Sequence, residues 1–229
     1  MKDISLIAFD ADDTLWECQT YFEAIEKEYC ELLKSYASAD EISKALFAVE
    51  TANMPLLGYG SKAFLLSLLE NAIEVSGVRL KADEVEKIIK LGKELLQLPG
   101  KPMDGVEETL KVLRERGEYH LVVFTKGELL DQENKFHRSG LKPFFDDIIV
   151  VSDKTEASYY QLCERFSINV EQLLMVGNSF RSDIEPVLKL GGWAAHIPFH
   201  TTWQHEVVEE YEHPHLLKLE NFAQLKQVL

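Results

Sequence analysis

Near its start the chain reads Ile4-Ser5-Leu6-Ile7-Ala8-Phe9-Asp10-Ala11-Asp12-Asp13-Thr14-Leu15-Trp16. The apolar run from Ile4 to Phe9 is short and bounded, which predicts a strand buried on both faces. Because side chains alternate along a strand, Asp10 and Asp12 would share a face if that geometry continued. Two such close acids repel each other, so the pattern favours a divalent cation with oxygen ligands. An acidic turn that merely closes the strand stays open at this point.

The composition indicates a folded, acidic protein. Of its 229 residues 46% are hydrophobic, and 24 Lys and Arg stand against 39 Asp and Glu, a formal net charge of −15. The length is enough for a large domain or for a core with an insertion. The negative balance disfavours nucleic acid as a partner, because phosphate backbones are bound by cationic surfaces. Local cations would have to attract any small anionic substrate.

No apolar run is long enough to span a bilayer, and Met1-Lys2-Asp3 leads into the predicted strand rather than into a signal peptide. Cys18, Cys30 and Cys163 are odd in number and widely spaced. We interpret them as free thiols in a reducing compartment, and we expect a cytoplasmic protein with no membrane partner. Nothing in the pattern indicates an oligomeric state.

A block of helical periodicity follows the first strand. Its predicted helices begin near Thr20 and near Asp40, then span Lys62–Val75 and Ala82–Leu98. The segment Asn53–Gly60 contains one Pro and two Gly, which predicts a loop, and its aromatic Tyr59 is a candidate substrate contact. Pro99-Gly100-Lys101-Pro102 ends the block.

Beyond this linker, strands and helices alternate. The predicted strands are Leu121–Thr125, Ile148–Ser152, Leu173–Val176 and Ala194–Ile197, and the predicted helices are Gly105–Arg116, Leu129–Ser139, Glu156–Phe166 and Asp183–Leu190. This alternation is typical of a doubly wound, parallel (Rossmann-like) α/β sheet. We therefore predict an α/β core from residues 1–16 and 99–229, with an all-helical cap inserted at residues 17–98.

Ligands of open parallel sheets bind beyond the carboxyl ends of the strands. The polar residues at those predicted ends are Asp10, Asp12, Thr125, Lys126, Gly127, Lys154 and the segment Asn178–Asp183. A nucleophilic carboxylate, a hydroxyl, a lysine and an amide–carboxylate cluster are what phosphoryl transfer needs, because its catalysis is mostly positioning and charge neutralisation. Each residue alone has a structural explanation, such as a helix cap at Ser182 or a solvated turn lysine at Lys154.

Taken in order, these segments resemble the four motifs of the haloacid dehalogenase-like superfamily. Those motifs are an Asp-x-Asp-x-Thr, a strand-ending Thr or Ser, a Lys and an acidic loop, and the helical block lies where that family's helical-cap members carry theirs. The resemblance implies a Mg²⁺-dependent phosphatase of small phosphorylated metabolites. It implies that Asp10 attacks phosphorus to form an aspartyl-phosphate, and that Asp12 protonates the leaving oxygen and then deprotonates water.

The resemblance also implies the remaining roles. Thr125 and Lys154 complete the catalytic set. The implied substrate-binding residues are Thr14, Thr125, Lys126, Gly127 and Lys154. Magnesium is implied to bind the Asp10 side chain, the Asp12 carbonyl and the fourth motif, through Asn178 or Asp183. Asn178 departs from the family pattern, which usually has an aspartate there, and Lys126 replaces a common asparagine.

Several alternatives stay open. A haloacid dehalogenase would use the same nucleophile without a metal or a second carboxylate, and a phosphomutase would move the phosphoryl group within its substrate. A binding or regulatory protein that kept the fold is the alternative from another class. The late histidines are a candidate for a rival zinc site: His196, His200, His205, His213 and His215. We favour an exposed or lid-like terminal segment for them, because Pro198 and Pro214 interrupt helical spacing.

Overall fold

The computed structural model describes residues 3–77 and 79–229, and this part of the chain contains one parallel sheet with strand order β3-β2-β1-β4-β5-β6. The strands are β1 Leu6–Phe9, β2 His120–Lys126, β3 Asp147–Val151, β4 Leu173–Gly177, β5 Trp193–His196 and β6 Leu216–Lys218. The helices are α1 Gln19–Leu33, α2 Ala39–Leu57, α3 Ser61–Ser76, α4 Ala82–Leu95, α5 Val106–Arg116, α6 Leu129–Ser139, α7 Glu156–Phe166, α8 Glu185–Lys189 and α9 Leu225–Val228. The predicted α/β fold with a doubly wound parallel sheet is confirmed.

Strand β1 lies at the centre of the sheet. Its four residues are fully buried, and they alternate between the two hydrophobic cores, with Ile7 and Phe9 on one face and Leu6 and Ala8 on the other. This two-sided burial explains why the strand reads as a continuous apolar run. From β1 the chain proceeds outward to β2 and β3, and then returns to β4 on the other side. The order therefore reverses between β1 and β4, which is where such sheets bind ligands.

The chain divides into two compact units, Met1–Gln19 with Pro99–Leu229 and Thr20–Leu98. The second unit is built from helices. A capping box begins α2, since the Ser38 side chain accepts from the Glu41 N–H and Glu41 accepts from the Ser38 N–H. Between helices α1 and α3 the Tyr29 hydroxyl donates to Asn71 Oδ1 at 2.6 Å in the unit's interior.

The predicted loop at Asn53–Gly60 is wrong over most of its length, because α2 continues through Pro55 to Leu57. The fixed φ of proline is compatible with a helix, but proline lacks the N–H of one i→i−4 hydrogen bond and its ring crowds the carbonyl four residues back, and α2 ends two residues after Pro55. Gly58 ends the helix with φ +71°, and its N–H donates to the Met54 carbonyl at 3.0 Å. The loop is thus reduced to residues 58–60. Helix α4 likewise ends at Leu95 rather than Leu98.

Between residues 3 and 229, Val78 aside, no helix is both long and apolar enough to cross a bilayer. Met1 and Lys2, on which part of the argument against a signal peptide rested, lie outside the described residues, as does Val78. Cys18, Cys30 and Cys163 are free and buried.

Candidate active site

The switch point between β1 and β4 brings the first and fourth motifs together. The Asp10 N–H donates to the Val176 carbonyl at 2.9 Å, so the first motif leaves the sheet directly beside the end of β4. The Asn178 N–H then donates to Thr14 Oγ1 at 3.1 Å across the same crevice. Two segments far apart in sequence therefore form one site, as the sheet topology requires.

Lys154 connects two buried carboxylates at this site. Its Nζ lies 2.5 Å from Asp10 Oδ1 and 2.6 Å from Asp183 Oδ1, and all three side chains are at least nine-tenths buried. Burial raises the pKa of Asp10 to about 7, against the lowering effect of Lys154. Burial alone would lower the pKa of Lys154, but Asp10 and Asp183 raise it, so the lysine stays charged. Lys154 thus forms ion pairs with both Asp10 and Asp183.

Gly177 makes the position of Asp183 possible. A Cβ added to Gly177 would lie 2.2 Å from Asp183 Oδ2, which is closer than any side chain could tolerate. The same Oδ2 accepts from the Ser179 N–H at 3.0 Å. Both carboxylate oxygens of Asp183 are therefore engaged within the protein, one by Lys154 and one by the loop backbone.

Asn178 turns its amide toward Asp10. With the amide nitrogen facing the site, it donates to Asp10 Oδ2 at 3.2 Å, Thr14 Oγ1 at 3.1 Å and the Asp12 carbonyl at 3.3 Å. With the amide oxygen facing the site, only the Thr14 hydroxyl can donate to it, at 3.1 Å. The oxygen orientation leaves three acceptors facing one another, and a cation between them would stabilise it.

These acceptors suit magnesium. Adjacent ligands of an octahedral Mg²⁺ lie about 3 Å apart, close to the distances of 3.2 and 3.3 Å from the Asn178 amide to Asp10 Oδ2 and to the Asp12 carbonyl. In the described part of the chain, no group of three or more His, Cys, Asp or Glu side chains is arranged to hold a metal ion. A cation here would therefore depend on the Asn178 amide and the Asp12 carbonyl together with Asp10.

The Asp12 carboxylate is bound by donors that the sequence analysis did not identify. Trp16 Nε1 lies 2.8 Å from Oδ1, Gln132 Nε2 lies 2.8 Å from Oδ2, and Lys135 Nζ lies 2.8 and 2.7 Å from the two oxygens. Burial would raise the pKa of Asp12, but Lys135 and these hydrogen bonds lower it. Asp10 and Asp12 are thus paired with separate lysines, Asp10 with Lys154 and Asp12 with Lys135.

Helix α6 has an unusual distribution of polar and apolar residues. Leu129 and Leu130 are more than half exposed, whereas Gln132 and Lys135 of the same helix are 3% and 2% exposed. A helix that buries polar residues and exposes leucines breaks the usual pattern, and such inconsistencies concentrate at functional sites.

Asp13 has a structural role. It adopts φ +63°, and its carboxylate accepts from the Cys18 N–H at 2.7 Å and the Gln19 N–H at 3.0 Å, where α1 begins. Burial raises the pKa of Asp13 to about 7, against the lowering effect of these N–H donors. The third acid of the motif therefore holds the chain as it enters α1.

Asp13→Ala should lower the free energy of unfolding by about 1–2 kcal/mol, the usual loss when a capping side chain is removed. Asp13→Asn should cost much less, because asparagine keeps an acceptor oxygen and tolerates a positive φ. Urea denaturation of both variants measures the difference. Equal stabilities for the two variants would contradict this role.

The second motif lies at the end of β2. Thr125 is 1% exposed, and Gly127 adopts φ +139°. Lys126 Nζ forms an ion pair with Glu206 and donates to Ser182 Oγ at 2.9 Å. Glu206 is a site residue that the sequence analysis missed. Tyr59, the predicted substrate contact, belongs to the helical unit, where it lies in the short loop between α2 and α3.

The late histidines do not form an exposed terminal segment, so that prediction is wrong for at least two of them. His196 belongs to β5, is 3% exposed, and its Nε2 lies 3.0 Å from the Asn178 carbonyl. His215 stacks on Trp193 with ring centroids 4.2 Å apart. The cause is β6, which the sequence analysis did not predict: residues 197–215 connect two paired parallel strands.

Comparison with known proteins places this site in a family. A profile of the haloacid dehalogenase-like hydrolases matches residues 4–191. Haloacetate dehalogenase H-2 from Moraxella sp. (strain B) is 28% identical over 185 residues, which cover 78% of this chain and 79% of that protein. A haloacid dehalogenase-like family hydrolase from Xanthomonas campestris is 34% identical, with a TM-score of 0.89 over 99% of this chain and 90% of that one.

A further solved structure, a hydrolase from Bacillus subtilis bound to magnesium, is 17% identical, with a TM-score of 0.65 over 99% of each chain. At that identity the likeness concerns the fold alone. The profile covers most of the sequence, so the chain belongs to the haloacid dehalogenase-like hydrolases.

Proposed function

We propose that the protein is a Mg²⁺-dependent phosphatase of small phosphorylated metabolites that acts through an aspartyl-phosphate on Asp10. The observation that carries this proposal is the set of acceptors formed by Asp10 Oδ2, the Asp12 carbonyl and the Asn178 amide, with separations of 3.2 and 3.3 Å. Such a set favours a small, hard cation. When bound, Mg²⁺ would supply charge neutralisation for a phosphoryl group.

The charges around the site support the need for a cation. The described ion pairs there join three lysines to five carboxylates: Lys126, Lys135 and Lys154 to Asp10, Asp12, Asp131, Asp183 and Glu206. This excess of negative charge would repel a phosphate dianion. A divalent cation would cancel this excess, and the site would then no longer repel the substrate.

The side chains then have distinct roles. Asp10 attacks phosphorus, and Lys154 holds its carboxylate in place while neutralising it. Thr125 and the N–H group of Lys126 would bind phosphoryl oxygens, whereas the Gly127 N–H already donates to the Val151 carbonyl at 3.1 Å. Asp12 exchanges the proton, first with the leaving oxygen and then with water.

A haloacid dehalogenase is the second candidate, and Asn178 favours it. With its amide nitrogen facing Asp10, Asn178 donates at 3.2 Å and stabilises the nucleophile without any cation. The relative named haloacetate dehalogenase H-2 supports the same candidate. Asp12 opposes it, because displacement of a halide needs no group to protonate the leaving atom.

One pair of assays separates the two. Phosphate release from p-nitrophenyl phosphate and a panel of phosphorylated metabolites is measured with Mg²⁺ and with EDTA, and chloride release from 2-chloroacids is measured in parallel. We expect phosphate release that depends on Mg²⁺. Chloride release in EDTA without phosphatase activity would reverse the assignment, and phosphate transfer within a substrate would indicate a mutase.

The panel repeated on Tyr59→Ala tests the proposed substrate contact from the helical cap, residues 17–98. We expect the variant to change the order of the relative rates among the substrates.

Asn178→Asp should lower the Mg²⁺ concentration for half-maximal activity about tenfold, equivalent to about 1.4 kcal/mol, because a carboxylate attracts the cation more strongly than an amide. A Mg²⁺ titration of the rate measures this. Ser179→Ala changes a neighbouring residue of the loop without adding charge and is the control. An unchanged titration for Asn178→Asp would place the cation elsewhere.

A further inference from the structure

The connection between β5 and β6, residues 197–215, is an unusual crossover. Parallel strands are normally joined by a helix, whereas the structure has here only the short 3₁₀ turn Gln204–Glu206. Long connections without regular structure are usually functional in compact domains. This connection leaves the carboxyl end of β5, at the same edge of the sheet as the candidate active site.

Glu206 fixes this connection to two motifs of the site. Its carboxylate forms an ion pair with Lys126, which directly follows Thr125. The same Oε1 accepts from Ser182 Oγ at 2.8 Å, in the loop that carries Asp183. The side chains of Glu206 and Lys126 are only 10% and 17% exposed, so water screens their pairing weakly.

This pairing removes a positive charge from the anion-binding end of the sheet. A lysine directly after the strand-ending threonine is placed to attract an anion. Glu206 compensates that charge. It also acts on Asp183, because its negative charge helps to raise the pKa of that carboxyl. Lys154, the other lysine at this point, is already shared between Asp10 and Asp183.

We propose that Glu206 is a specificity-determining residue: by neutralising Lys126, it restricts the site to substrates that carry one phosphoryl group and no second anionic group nearby. This inference rests on the proposed phosphoryl site. It assigns substrate selection to the β5–β6 connection of the α/β core.

The test uses two non-hydrolysable probes that differ by one carboxylate, methylphosphonate and phosphonoacetate. Glu206→Gln keeps the size and an acceptor for Ser182 but removes the charge. We expect it to lower the dissociation constant of phosphonoacetate about tenfold, or about 1.4 kcal/mol, and that of methylphosphonate less than threefold. Isothermal titration calorimetry at low ionic strength and one Mg²⁺ concentration measures both.

Two controls make the test specific. Glu209→Gln removes the same charge from an exposed position of the connection and should leave both affinities unchanged. The double variant Lys126→Gln/Glu206→Gln lacks both charges and should bind phosphonoacetate about as tightly as the wild type, without the gain of Glu206→Gln alone. Lys126→Gln alone should weaken phosphonoacetate more than methylphosphonate, which keeps the proposal testable if Glu206→Gln does not fold.

Equal gains for both probes, a double variant that binds phosphonoacetate as tightly as Glu206→Gln alone, or no binding by any variant would overturn the proposal. Because these are binding measurements, they are independent of turnover. A failed phosphatase assay with selective gains for phosphonoacetate would refute the proposed reaction and leave this inference intact.

Discussion

Asp10→Asn is expected to reduce turnover at least about a thousandfold, because an amide is a poor nucleophile toward phosphorus. The carboxylate it replaces is 7% exposed and pairs with Lys154 at 2.5 Å. Steady-state hydrolysis of p-nitrophenyl phosphate with saturating Mg²⁺ measures the loss. Mass spectrometry of the purified variant excludes deamidation back to aspartate.

Asp13→Asn is the matched control for this experiment. It removes one negative charge from the same motif, three residues away, at a carboxylate that binds the N–H groups of Cys18 and Gln19 rather than Lys154. It should retain most of the wild-type rate. Substantial activity in Asp10→Asn, with deamidation excluded, would mean that another residue is the nucleophile.

Asp12→Asn should lower turnover by roughly a hundredfold or more, because both proton transfers lose their acid and base. The structure adds a second expected effect. Lys135 is 2% exposed, and without Asp12 its nearest described carboxylate is Asp131 at 3.8 Å. An undercompensated buried lysine should destabilise the fold by about 3 kcal/mol. Thermal unfolding must therefore be measured together with the rate.

A burst experiment separates the chemical effect from the structural one. Nitrophenolate is a good leaving group that needs little protonation, so the first step should survive in Asp12→Asn while hydrolysis of the aspartyl-phosphate slows. We expect one equivalent of nitrophenolate per folded enzyme, followed by slow turnover, and a phosphorylated Asp10 in the intact mass. A wild-type rate, or a slow rate without any burst, would contradict the role of Asp12.

Much of the fold was predictable because its signals are local. Helices α6 and α7 begin and end at the predicted residues, since clear breakers bound both. The edge strand β6 was not predicted, because three residues of Leu216–Lys218 form a strand only by pairing with β5. The end of α2 was missed because Pro55 was read as a breaker, although a last turn can contain it.

The site was predictable where a motif places polar groups at a strand end. Asp10, Lys154 and Asn178 meet because the strand order brings their loops together. The partners of Asp12 and Lys126 could not be read in this way. Lys135 reaches its carboxylate from within a helix, and Glu206 reaches its lysine from an irregular connection, so neither position has a local pattern that sets it apart.

The points where the helical insertion leaves and rejoins the core touch each other. The Met103 N–H donates to the Leu15 carbonyl at 2.9 Å, and Trp16 and Pro102 form an isolated antiparallel bridge. Closing so long a loop is entropically costly for an unstructured chain, although the cost grows only logarithmically with length. Helices form early from local contacts, and a folded insertion with adjacent ends would shorten the effective loop before β1 pairs with β2. The bridge is also a natural splice point, where another helical module could replace this one without altering the register of the sheet.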